Sequence, residues 1–336
     1  MTDRRALSDA FVRRVGWGSA ARSFLAGDAS ERSYDRLTIG AKSAVLMDAP
    51  PGQGDDPASF VAIASHLSAL GLSAPRVAGQ DLPNGFLLLE DLGDAVFARL
   101  VGADPALEPS LYAAATDVIV HLQSAPAAAG LPDLSAAEWA NAAAFALDWY
   151  RFAVTGDRIA TGEFCAVLTE MLQAHADGPR VMVLRDYHAE NLLWLPQRVG
   201  LARVGLLDFQ LAQMGQPAYD LVSLLQDARR DVSPETRTAM IRRFALARGG
   251  SESALLDGYA VLGAQRALRI LGIFARLCLV SGKPGYLALV PRVWDQLHRN
   301  LAHPRLRALS LLIERLLPEP TPATLSRIGA QCGHFR

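Results

Sequence analysis

The pattern of apolar residues changes character near residue 90, and that change sets the fold class. Before it, three short runs rich in β-branched, aromatic and aliphatic residues, Arg22–Gly27, Ser33–Ile39 and Ala44–Asp48, are separated by the turn sequences Gly27-Asp28-Ala29-Ser30 and Gly40-Ala41-Lys42. This predicts a three-strand meander. A Pro/Gly/Asp-rich loop, Pro50 to Pro57, leads into Phe60, Ile63, Ala64, Leu67 and Leu70 at helical spacing, ended by Gly71. Pro75–Val77 and Phe86–Leu89 add two more strands, for about five strands and one helix. From Glu90 onward long helices are expected at about Leu107–Gln123, Ala136–Phe152, Gly162–His175 and Pro234–Ala247, with three more up to Leu317. Short strands at Val181–Leu184, Leu192–Leu195 and Val204–Phe209 interrupt them. The class is α+β: a small β-rich lobe over 1–92 and a larger, mainly α lobe over 93–336.

Composition narrows the function classes. A chain of 336 residues, 51% hydrophobic, has enough apolar material for two lobes. A net charge of -1 gives no electrostatic footprint for nucleic acid or an anionic membrane. Met1 to Arg14 lacks the apolar core of an export signal. The apolar stretch Ala260 to Val280 is broken by Gln265, Arg266, Arg269 and Arg276, so it reads as a buried helix rather than a membrane span. Cys165, Cys278 and Cys332 are scattered, without a disulfide framework or CxxC pattern. A cytoplasmic location is expected, and no protein partner is implied.

The chemistry concentrates in Leu184-Arg185-Asp186-Tyr187-His188-Ala189-Glu190-Asn191 and Leu206-Leu207-Asp208-Phe209-Gln210. Phosphoryl transfer needs a carboxylate to orient the attacking hydroxyl and take its proton, and oxygen ligands for the Mg²⁺ that neutralises the phosphates. Asp186 suits the first task. Asn191 and Asp208 suit the second, because Mg²⁺ is content with a few protein oxygens and retained waters.

This stretch resembles the catalytic loop and D-F-G of kinases, and specifically the H-x-D-x-x-x-x-N and L-x-D-[FW] pair of the aminoglycoside and choline kinase-like phosphotransferases. The resemblance implies a protein-kinase-like fold with ATP and Mg²⁺ as cofactors. It makes Gly27-Asp28-Ala29-Ser30, before Arg32, the nucleotide-covering loop, and Glu90-Asp91-Leu92, within 88–93, the hinge that holds adenine. Pro217-Ala218-Tyr219-Asp220-Leu221 resembles the helix start behind the metal site, with Asp220 structural. Only ten residues separate Asp208 from Tyr219, too few for the activation loop of a protein kinase, so a small-molecule acceptor is expected.

One part of the pattern is missing. Such folds place a lysine on the third strand, paired with a helix glutamate, yet that position falls on Val45-Leu46-Met47 and the following helix lacks a glutamate. Lys42 lies five residues away, about 17 Å along a strand. Either the chain is a nucleotide binder without turnover, or Arg32 or Arg36 carries the phosphate charge through a guanidinium fork.

After Phe209, seventeen Lys/Arg face nine Asp/Glu, which suits an uncharged or anionic acceptor better than a polycationic aminoglycoside. Asp208-Phe209-Gln210, Ser223 to Arg229, Gln265-Arg266, Ala26 to Ser30 and Leu46 to Pro51 look like the bacterial anomeric kinases for N-acetylmuramate and N-acetylglucosamine, methionine included. That resemblance implies a sugar 1-phosphate product in peptidoglycan recycling. Gln210, Asp227, Arg229, Arg266 and Arg269 are the candidate acceptor contacts. An aminoglycoside or choline-like alcohol is the alternative acceptor.

Overall fold

The strands expected before residue 90 are all present in the computed structural model, which describes residues 4–27, 32–52 and 54–335. They are β1 (Ala21–Ala26), β2 (Ser33–Ile39), β3 (Lys42–Asp48), β4 (Val77–Asp81) and β5 (Phe86–Glu90). All pair antiparallel in the order β1-β2-β3-β5-β4. The fourth begins where Pro75–Val77 was expected to end. Gly85, at φ 73°, closes the β4–β5 turn, where a Cβ would lie 1.8 Å from the Ala49 carbonyl oxygen.

Alternation along these strands divides their side chains between two faces. Leu37, Ala44, Leu46, Phe86 and Leu88 share one buried cluster with Phe11 and Val12. Those two come from a helix additional to the one expected, α1 (Arg4–Arg14). Arg4 anchors it, donating from Nε to Asp48 Oδ1 at 2.9 Å and lying 4.1 Å over the Phe86 ring. The expected helix is α2 (Pro57–Ala69): Asp56 caps it by accepting from Ala58 N–H at 2.9 Å, and Pro57 opens its first turn.

By packing, the chain falls into two compact units, one of Met1–Gly130 with Leu184–Ala212, the other of Leu131–Val183 with Gln213–Arg336. In the first, a two-stranded ladder joins Leu192–Trp194 to Val204–Leu206, Leu192 opposite Leu206. Leu206 N–H donates to Ser73 O at 2.9 Å and Trp194 N–H to Ala95 O at 2.8 Å, tying the ladder into that unit.

In the second unit, Val181–Val183 pairs with Gln213–Gly215, a strand not expected. The expected helix Ala136–Phe152 is broken into Ala136–Ala143, a π-helical turn Ala146–Arg151 and Phe152–Thr155. Beside the break runs the 28-residue helix Glu252–Leu279, which has buried side chains around most of its circumference from Gly258 to Leu268. Among the described residues no helix is long and apolar enough to cross a membrane.

Gly272 of that helix approaches the chain at Phe145 so closely that a Cβ would lie 2.2 Å from the Phe145 carbonyl carbon. Gly272→Ala is therefore expected to destabilise the protein by about 1–3 kcal/mol, the cost of overpacking. A denaturant midpoint equal to that of the wild type would contradict this close approach.

Candidate active site

Backbone and side-chain bonds close the loop that carries Asp186 and Asn191. Asp186 N–H donates to Leu184 O at 3.0 Å and Asn191 N–H to His188 O at 2.8 Å. Asn191 Nδ2 donates to Asp186 O at 2.9 Å, which leaves its Oδ1 for another partner. Tyr187, buried, donates from its hydroxyl to Ala115 O at 2.9 Å and pins the loop to the helix Glu108–Ser124. Arg185 adopts φ 74°, a left-handed conformation that non-glycine residues rarely take.

The ladder then returns the chain to the same place. Leu207 N–H donates to Asn191 O at 2.9 Å, so the next residue, Asp208, stands beside Asn191. Asp208 is the other left-handed non-glycine residue among the described residues, at φ 57°, and such strain clusters at functional sites. Phe209 is fully buried, with its ring centroid 4.8 Å from that of Phe60 on α2. Gln210 Nε2 donates to Asp208 Oδ1 at 2.9 Å.

Asn191, Asp208 and Gln210 line a cleft of about 570 Å³ in the first unit. Val45, Pro75, Leu89 and Leu193 give it apolar walls, and Glu90, Asp91 and Leu92 also line it. Gly27 lines it as well, whereas Asp28, Ala29 and Ser30 lie outside the described residues. Half-buried Asp186 is not among the lining residues.

The cations of this unit separate clearly. Arg32 is buried, its Nη2 3.2 Å from Asp208 Oδ1 and 3.3 Å from Asp55 Oδ2. Arg36 instead reaches Asp91 at 2.8 Å and Asp94 at 2.9 Å. Met47 is fully buried, and Lys42 is exposed, opposite Ile39 at the end of the β2–β3 hairpin. Asp55 had no signal in the sequence beyond a Pro/Gly-rich loop. Glu90 accepts from Arg198 Nη2 at 2.7 Å.

Among the described residues no group of three or more His, Cys, Asp or Glu side chains is arranged to hold a metal ion. Mg²⁺ needs no such group, since one or two protein oxygens beside waters and phosphates suffice. The Asp208 carboxylate and the Asn191 Oδ1 make a fitting pair of donors.

The remaining candidates belong to the second unit. Asp227 is buried, accepting from Arg229 N–H at 2.8 Å through Oδ1, while its Oδ2 has no hydrogen-bond partner. Arg266, also buried, donates to Gln226 O at 3.2 Å, next to Asp227 in sequence. Arg229 is exposed and Arg269 half-buried. Asp220 is fully buried in the first turn of the helix Tyr219–Leu225, whose N-cap Ala218 offers no side-chain bond.

Residues 22–256 match the model of a family described as "Phosphotransferase enzyme family". An N-acetylmuramate/N-acetylglucosamine kinase of Caulobacter vibrioides is 39% identical, with 95% of this chain and 98% of the relative covered. Among solved structures, a choline/ethanolamine kinase family protein from Mesorhizobium loti superposes with a TM-score of 0.63 at 15% identity, covering 98% of this chain and all of the other. A streptomycin-ATP-APH(2")-IIa ternary complex gives 0.54 at 12% identity, covering 79% and 89%. The fold is therefore that of the protein-kinase-like phosphotransferases, as the resemblance implied.

Asp91 offers a pH test of the cleft wall. Burial pushes its carboxyl up, but hydrogen bonds from Arg36, the Gly93 N–H and Ser43 outweigh burial and hold it below the ordinary carboxylate range. A depressed carboxylate stabilises the fold above its unfolded pKa of about 3.9, and that contribution is lost as pH falls through the folded value. Asp91→Asn should thus cost about 1.5–3 kcal/mol at neutral pH, and less on acidification. Equal loss at pH 7 and pH 3 would contradict the ion pair.

Proposed function

This chain belongs to the phosphotransferase enzyme family and is a small-molecule kinase; we propose that it moves the γ-phosphoryl group of ATP to the anomeric C1 hydroxyl of an N-acetylated amino sugar. N-acetylmuramate and N-acetylglucosamine are the acceptors, and the product is the sugar 1-phosphate of peptidoglycan recycling. The observation that carries this reading is the 39% identity with the Caulobacter kinase, extending over 95% of this chain. Asn191 and Asp208 at one cleft support it.

In this reading Asp186 orients the C1 hydroxyl and accepts its proton as the oxygen attacks the γ-phosphorus and the bond to the ADP oxygen breaks. Its loop is held by the Asn191 and Tyr187 bonds, so positioning needs little rearrangement. Mg²⁺, held by Asn191 and Asp208, would neutralise phosphate charge. The apolar walls Val45, Leu89 and Leu193 take the adenine, beside the hinge Glu90-Asp91-Leu92 and Gly27. The functional lobes are 1–92 and 93–336.

For the acceptor, Asp227 is the group of the second unit with hydrogen-bonding capacity to spare, because its buried Oδ2 has no partner and is able to accept from a sugar hydroxyl. Arg229, Arg266 and Arg269 supply cations suited to the lactyl carboxylate of N-acetylmuramate. Gln210, bonded to Asp208, would place the reacting end of the sugar.

A coupled ADP-release assay tests the reading against N-acetylmuramate, N-acetylglucosamine, glucose, kanamycin and choline. Turnover is expected with the two N-acetyl sugars, with kcat falling about 10²–10⁴-fold in Asp186→Asn. Turnover with kanamycin or choline alone would overturn the acceptor class, and full activity of Asp186→Asn would remove the base.

A further inference from the structure

Kinase-like transfer calls for a cation on the nucleotide's phosphates and a carboxylate that keeps that cation in place. Neither occupies its usual position here. The third-strand position is Met47, fully buried, and α2 (Pro57–Ala69) contains no glutamate. At the polar end of the cleft, however, Nη2 of buried Arg32 is shared between Asp208 at 3.2 Å and Asp55 at 3.3 Å. Arg32 stands one residue before β2, where Tyr34 pairs with Met47. Two residues from Tyr34, it lies about 7 Å along the chain from Met47's partner and on the same side of the sheet. Asp55 precedes the N-cap of α2 by one residue and lines the same cleft.

We propose that Arg32 and Asp55 form a relocated cation–carboxylate pair: Arg32 binds the nucleotide's phosphates, and Asp55 is the positioning residue that holds its guanidinium there. This rests on the reading of the cleft as a nucleotide site. Asp208 cannot be the only anchor for Arg32. A divalent cation and a guanidinium compete for the same carboxylate lone pairs, so an arginine held by Asp208 alone would be released when that oxygen takes a metal. Asp55 has no such second duty. The guanidinium carries five N–H donors in a rigid fork, so Asp55 is able to hold one edge while another faces phosphate oxygens.

The full-length protein is titrated with ADP by calorimetry, in EDTA and in Mg²⁺, and its ATP kinetics are measured beside it. Arg32→Ala should weaken ADP at least tenfold in both media, and Asp55→Asn about three- to tenfold in Mg²⁺, with a smaller loss in EDTA, where Asp208 is free to hold the guanidinium. The double variant should be no weaker than Arg32→Ala alone, because Asp55 acts through Arg32. Asp55→Glu should recover most of the affinity. The rise should fall on KM for ATP more than on KM for the sugar, which a general loss of structure would not do; thermal unfolding midpoints check that the variants fold. Wild-type ADP affinity of Asp55→Asn in Mg²⁺, or additive losses in the double variant there, would overturn the pair while leaving the nucleotide site standing. Absence of ADP binding by the wild-type protein would overturn the nucleotide reading, and the pair with it.

Discussion

One backbone hydrogen bond organises the candidate site: Leu207 N–H to Asn191 O, at the open end of the Leu192–Leu206 ladder. It brings together two oxygen-bearing side chains, Asn191 and Asp208, that are seventeen positions apart in the sequence. From that point the consequences are local. Asp208 must turn left-handed to leave the ladder, Phe209 is sent into the interior against Phe60, and Asn191 closes back on the Asp186 carbonyl. Each constraint removes a degree of freedom from a group that must be in place before the chemistry begins.

Charge in the first unit is distributed with little redundancy. Arg36 bridges β2 to Asp91 and Asp94 and so fastens the cleft wall, while Arg32 faces Asp55 and Asp208. With only two lysines in the chain, the cation buried at the cleft is an arginine, whose geometry favours a shared, forked contact over a point charge. Tyr34, in the same cleft, is pushed up chiefly by burial: Arg32 pulls it down, and Asp208 and Asp55 push it up further. The Tyr34 hydroxyl therefore stays neutral.

Much of this was legible in the residues because short-range rules decide it. β2 runs over Ser33–Ile39 as its β-branched, aromatic and aliphatic residues between two turn sequences implied, and the loop carrying Asp186 and Asn191 leads into the expected ladder. The helix α1 was hidden because Arg4, Arg5, Arg13 and Arg14 outnumber the buried Phe11 and Val12 that hold it to the sheet. Helical periodicity ran unbroken through Ala136–Phe152, yet the chain widens into a π-helical turn next to the tight approach of Gly272 to Phe145, a tertiary event with no local signature. The strand Gln213–Gly215 has no β-branched residue to announce it and forms by pairing with Val181–Val183. Asp55 is the plainest case. A carboxylate in a loop acquires meaning only when an arginine distant in the sequence meets it.

The most direct test of the account is the position of the transferred phosphate. Phosphorus–proton NMR of the product made from ATP and N-acetylglucosamine should show the new phosphate coupled to the anomeric proton, with one ADP released per sugar phosphorylated. Phosphate coupled to the C6 protons, or no phosphorylated sugar at all, would contradict the assignment of an anomeric kinase.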